Sequence, residues 1–81
     1  MEKIKGIVEE IYIPVKENED VMNSNKIGFK IKTDKEIITI EEDQNEENTK
    51  IFREDEVIII KQIISGIEFI DIKKLEGEDY E

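Results

Sequence analysis

"KIGFKIKTDKEIITIE", residues 26–41, alternates with a period of two: Ile27, Phe29 and Ile31 fall on one face, Lys30 and Lys32 on the other. A half-buried strand has this pattern, because successive side chains point to opposite faces of a sheet. "DK" at 34–35 is a tight turn, and beyond it Ile38 and Ile40 share a face of "EIITIE" (36–41). The stretch predicts a β-hairpin. A second hairpin follows from "VIIIKQII" (57–64), the turn "SG" (65–66) and "IEFIDIK" (67–73).

Upstream, "IKGIVEEIYI" (4–13) reads two ways. Ile4, Ile7, Val8 and Ile11 match the helical spacing, but Gly6 sits in the interior, β-branched residues dominate and Pro14 closes the run. Those features favour a strand. The polar segments 14–25 and 42–50 read as loops, and "TKIFREDE" (49–56) as a short helix or turn anchoring Ile51 and Phe52 in the core. Residues 1–75 then form one mainly-β domain, with 76–81 a flexible acidic tail. Five short strands suggest a small five-stranded barrel with at most one short helix. The OB-like kind is preferred because the one non-strand element falls between strands three and four, and the SH3-like kind is the alternative.

Composition agrees with a folded sheet. Eighteen Ile stand against one Leu and no Ala, and Ile, Val, Leu and Phe make up 26 of 81 residues although 42% are charged. An AT-rich genome also enriches Ile, so the periodicity decides. An 81-residue domain buries roughly 60% of its unfolded surface, and without cysteine no disulfide can supplement the core. No signal peptide or membrane span is read, and the expected location is cytoplasmic.

Strand 57–64 is apolar on both faces: Val57, Ile59 and Ile63 on one, Ile58, Ile60 and Ile64 on the other. A barrel buries one face of each strand, so Ile58, Ile60 and Ile64 are a candidate oligomer interface, unless "EEIYI" (9–13) or the tail covers them.

The absence of His and Cys excludes the Ser–His–Asp, Cys–His and His-ligated zinc arrangements. Glycines at 6, 28, 66 and 77 make no phosphate loop. Neither an enzyme nor a cofactor is expected. Asp43, Asn45, Glu47 and Glu54 match positions 1, 3, 5 and 12 of a calcium loop, but Asn48 stands where glycine is needed and helices do not flank it. No metal site is assigned.

The formal net charge of −10 repels nucleic acid. Lys30, Lys32, Lys61 and Lys73 lie within strands and offer an OB-type oligonucleotide stripe as a secondary reading. Phe29 and Phe69 have core parity, however, and only Tyr12 points outward for base stacking. The acids gather in loops. Glu41, Glu42, Asp43, Glu46 and Glu47, supported by Glu54, Asp55 and Glu56, are the candidate contacts to a protein partner with a basic surface. Phe52 or Tyr12 is the candidate apolar anchor. In size and charge alone, the chain is similar to nucleic-acid-mimicking inhibitors of phages and mobile elements, of the anti-restriction and anti-CRISPR type. The expected function is a non-enzymatic acidic binding module of that kind, with a homodimer or structural barrel assembling through the Ile-rich strand as the alternative.

Overall fold

A computed structural model describes residues 1–15 and 25–75, so the middle of the 14–25 loop and the 76–81 tail lie outside the described residues. The strands are β1 (Glu2–Tyr12), β2 (Lys26–Lys32), β3 (Ile37–Asp43), β4 (Glu56–Ile64) and β5 (Ile67–Lys74), with one 3-10 turn at Asn48–Lys50 between β3 and β4. They form one antiparallel sheet in the order β3-β2-β1-β4-β5. The chain is therefore mainly β with almost no helix. The expected barrel is not found closed: β3 and β5 are sheet edges, and β4 pairs with β1 rather than with β3.

β1 is a strand, and its helix-like spacing has a specific cause. Ile4 and Val8 face inward, but the register slips between Val8 and Glu10, where Glu9 is extra. A bulge of this kind shifts the facing of all that follows. Ile11 therefore joins the core side, while Ile7 points outward and is half exposed. The bulge also opens β1 to the 52–55 turn. Glu54 N–H donates to Val8 O (2.8 Å), Val8 N–H to Asp55 O (3.0 Å) and Arg53 Nε to Glu9 O (3.2 Å).

One face carries the core: Val8, Ile27, Phe29, Ile31, Ile40, Ile51, Val57, Ile59 and Ile72. Among the described residues there is no second layer, yet Val8, Phe29, Ile31, Val57 and Ile59 are fully buried. A single sheet achieves this only by curling until its own strands cover one another. β1 and β2 come close together at Gly6, where a Cβ would stand 2.5 Å from Ile31 Cγ2 and 2.8 Å from Lys32 O. Ile51, from the turn segment, sits at 2% exposure inside the same cluster, and the 3-10 turn packs on β5. Phe52, expected in the core beside it, is 62% exposed.

The outer side of β4 explains how a two-faced strand survives in water. Ile58 lies between Lys5 and Lys73, and Ile60 between Lys3 and Asp71. The aliphatic stems of such lysines cover apolar neighbours while their ammonium groups stay wet, and both isoleucines are only partly exposed. The cover is not "EEIYI", which is part of β1 or continues from it.

Candidate functional site

The stretch 41–50 is a built turn. Asn45 Oδ1 accepts from the backbone N–H of Glu47 and Asn48, both at 2.8 Å. That is the Asx arrangement by which a short polar side chain takes the place of a backbone turn. Asn48 is fully buried and satisfied: its Nδ2 donates to Glu42 Oε1 (2.9 Å) and Asp43 O (2.8 Å), and its Oδ1 accepts from Asn45 N–H (2.9 Å). Of the calcium-spaced residues, Asn45 is thus engaged with backbone N–H groups and Asp43 with Lys26, and among the described residues no three metal-ligating side chains converge.

Three of the candidate acids in 41–47 have internal partners. Glu41 Oε2 accepts from the Tyr12 hydroxyl (2.5 Å), Glu42 accepts from Asn48, and Asp43 pairs with Lys26 (2.9 Å). Tyr12 does point outward, but its ring lies over Gly28, where a Cβ would come within 2.4 Å of it. Glu41 stands across from Gly28 on β3, so one row runs Tyr12, Gly28, Glu41 over three strands. The bond to Glu41 and the charges of Glu41 and Glu10 push the Tyr12 hydroxyl up to about 12. Asp55 accepts from Phe52 N–H (2.8 Å) and pairs with Lys74 (3.3 Å), whose ammonium lies 5.9 Å from the Phe52 ring centre. Glu54 is exposed with φ of 76°, a left-handed conformation that non-glycine residues adopt at a cost. Glu56 begins β4 and is exposed, as are Glu46 and Glu47.

Glu42 is held above the ordinary carboxylate value of 4.5, first by burial, with Asp71, Asp43 and Glu47 adding and the Asn48 bond opposing. A carboxyl with a raised folded pKa binds more protons folded than unfolded, so stability falls as pH rises from 4.5 through the raised value. Glu42→Gln keeps an acceptor for Asn48 and removes the charge. It is expected to raise the melting temperature at pH 7 and to leave it unchanged below pH 4, as measured by circular dichroism.

The strand lysines do not form the stripe read from the sequence. Lys30 is paired with Glu10 at 3.4 Å, and Lys61, opposite Ile70, lies on the other face of the sheet from Lys73, opposite Ile58.

What sequence parity missed is the far half of the β4–β5 hairpin. β1 reaches only as far as Glu2 opposite Lys61, whereas the hairpin continues to Ile64 and Ile67. Beyond Lys61 there is no third strand, and every residue from Gln62 to Asp71 is exposed. Ile63 (73%), Ile64 (55%), Ile67 (60%), Phe69 (51%) and Ile70 (42%) stand in water. Ile63 and Phe69, both assigned to the core by parity, are corrected here. Of the candidate interface residues, Ile64 belongs to this arm, while Ile58 and Ile60 lie in its half-covered base. Ser65 (φ 53°) and Gly66 (φ 79°) close the tip with two left-handed residues, the type I′ geometry that matches strand twist. The missed signal was a run, 62–70, with Glu68 as its one charge in a chain that is 42% charged.

The chain matches no family model, no curated protein and no solved structure. Among the described residues, no helix is long and apolar enough to cross a membrane.

Proposed function

We propose that this chain is a non-enzymatic protein-binding module that docks onto another polypeptide through the tip of its β4–β5 hairpin. The observation that carries this reading is a group of large apolar side chains exposed on one projecting element, Ile64, Ile67 and Phe69 on one face of the arm and Ile63 and Ile70 on the other. Apolar side chains exposed together on one element mark interaction sites in soluble proteins. A two-stranded ribbon is only marginally stable alone in water, so a docked chain would also stabilise the arm. The sheet order supports an OB-like barrel as the finer architecture, since pairing β3 with β5 would close it. The cysteine-free composition suits a cytoplasmic protein.

The acids support a second contact. Glu46 and Glu47 are exposed with no side-chain partner among the described residues, on a chain of net charge −10. They suit a basic, nucleic-acid-handling protein, the partner of a nucleic-acid-mimicking inhibitor.

Because the chain has no cysteine, Phe69→Cys accepts a maleimide photo-crosslinker at that one site. In lysate of the source cells, crosslinking to a polypeptide is expected from position 69 and not from a Lys35→Cys control in the β2–β3 turn. Equal labelling from both positions, or none, sinks the docking reading. Recovery of a basic nucleic-acid protein that is lost with Glu46→Gln and Glu47→Gln, or at moderate salt, would assign the acidic contact.

A further inference from the structure

We infer that the polypeptide docked on the arm holds it in a cleft. One apolar wall stands against Ile64, Ile67 and Phe69, and a second wall, bearing a cation for Glu68, stands against Ile63 and Ile70. The inference rests on the arm being the docking element and adds the shape and chemistry of its partner. Facing is the first argument. The pairing of β4 with β5 runs without a break from Val57 opposite Lys74 to Ile64 opposite Ile67, so alternation fixes the side on which each residue lies. Ile64, Ile67 and Phe69 share one face with Gln62, while Ile63 and Ile70 share the other with Lys61 and Glu68. Both faces of the ribbon thus carry large apolar side chains in water.

Area is the second argument. At about 200 Å² for a fully exposed large apolar residue, the first face presents roughly 330 Å² of these side chains and the second roughly 230 Å². Counting both molecules, a partner laid on the larger face alone buries roughly 650 Å² through them, the size of an incidental packing contact. A partner closing on both faces buries roughly 1,100 Å², which clears the bound of a specific interface. A packed layer stands about 10 Å from a sheet, so the two walls lie about 20 Å apart from backbone to backbone. Between Lys61 and Ile64 the arm runs about 10 Å at the usual rise of a strand, and that is the depth of the cleft.

Charge sets the mouth and distinguishes the walls. Lys61 lies opposite Glu2 on one side of the sheet, and Lys3 and Asp71 flank Ile60 on the other, so both signs stand where β1 ends. From Gln62 to Ile70 the one charged side chain is Glu68, opposite Ile63, and it forms no ion pair among the described residues. A carboxylate taken out of water is unfavourable unless it is paired. The wall against Ile63 and Ile70 therefore supplies a lysine or arginine, whereas the opposite wall meets Gln62 as the one polar side chain of the two strands.

Photo-crosslinking from the two faces tests the inference. Ile63→Cys and Phe69→Cys each carry the maleimide crosslinker and are irradiated in lysate of the source cells, with products identified by mass spectrometry. Neither residue belongs to the core cluster, so both variants are expected to keep the wild-type melting curve. The expected result is the same foreign polypeptide from both positions, its yield lowered by at least about tenfold on adding Glu68→Lys. Product from one position alone, or different polypeptides from the two, overturns the cleft and leaves the arm a docking element. Crosslinks to a second copy of this chain, or a yield unmoved by Glu68→Lys, also overturn the cleft as described. No product from either position, labelling of phospholipid in place of protein, or equal labelling from Lys35→Cys overturns the inference and the docking reading together.

Discussion

Gly6→Val is expected to destabilise the domain by about 3 kcal/mol, at the upper end for forcing extra atoms into a packed core. Gly6 is buried on the inner side of β1, opposite Val57 and between Ile4 and Val8. The first added carbon would stand 2.5 Å from Ile31 Cγ2 and 2.8 Å from Lys32 O, and the second of these is backbone. The Ile31 methyl has no empty space to swing into, because that residue is itself fully buried. Relief then requires β1 to move away from β2, which loosens the sheet at this close approach. In a domain of this size a loss of that magnitude lowers the melting temperature by roughly 12–24 °C. Thermal unfolding followed by circular dichroism checks it. A drop under a few degrees would mean that the curl does not depend on this close approach.

The second large effect is expected for Asn48→Asp. The substitution keeps the shape but replaces the donor Nδ2 by an acceptor, facing Glu42 Oε1 and Asp43 O, which received its hydrogens at 2.9 and 2.8 Å. A fully buried carboxylate would then stand against a second one that burial already disfavours. Leaving a buried charge unpaired typically costs about 3–5 kcal/mol. The sign of the pH dependence separates this cause from a mere loss of fit. The introduced carboxyl titrates above its ordinary range when folded, so the penalty is full above the raised value and vanishes below the unfolded one. Urea unfolding should show a large deficit at pH 7 that narrows toward pH 3.5. A deficit independent of pH would mean that geometry, not charge, holds Asn48 in place.

How much of this was legible follows from what periodicity can detect. The β2–β3 hairpin was plain because Ile27, Phe29 and Ile31 keep one face over their whole length, with lysines on the other. β1 was ambiguous for a physical reason: the extra residue at Glu9 moves the core side from Val8 to Ile11, and a three-residue step is also a helical step. The inner and outer sides of β4 were read correctly through Ile60. Phe69 was read on the wrong side: it lies opposite Gln62, in step with Asp71 and Lys73 and away from the buried Ile72. Parity put Ile63 on the core side, but alternation does not say whether a neighbouring strand is still there. The length of β1, which ends at Glu2 opposite Lys61, decides that. The turn built into the acidic stretch went unread because charge count hid its two asparagines. Asn45 and Asn48, three apart, were the available sign of a side-chain-capped turn.

The central place of β1 bears on the order in which the chain can assemble. β2 with β3, and β4 with β5, are hairpins of neighbouring sequence, and such units form in microseconds. β1 must instead join both: Ile4 lies opposite Ile59, far along the chain, and no pairing of β1 with β4 exists until that strand has been synthesised. Within this sheet, the strand synthesised earliest is thus the last to find both partners. Its arrival closes long loops at an entropic cost, which places folding among the slower, non-local β topologies, in milliseconds to seconds. Until then both hairpins carry open edges and the apolar β4 has no inner neighbour, so the nascent chain passes through its most adhesive state just before completion.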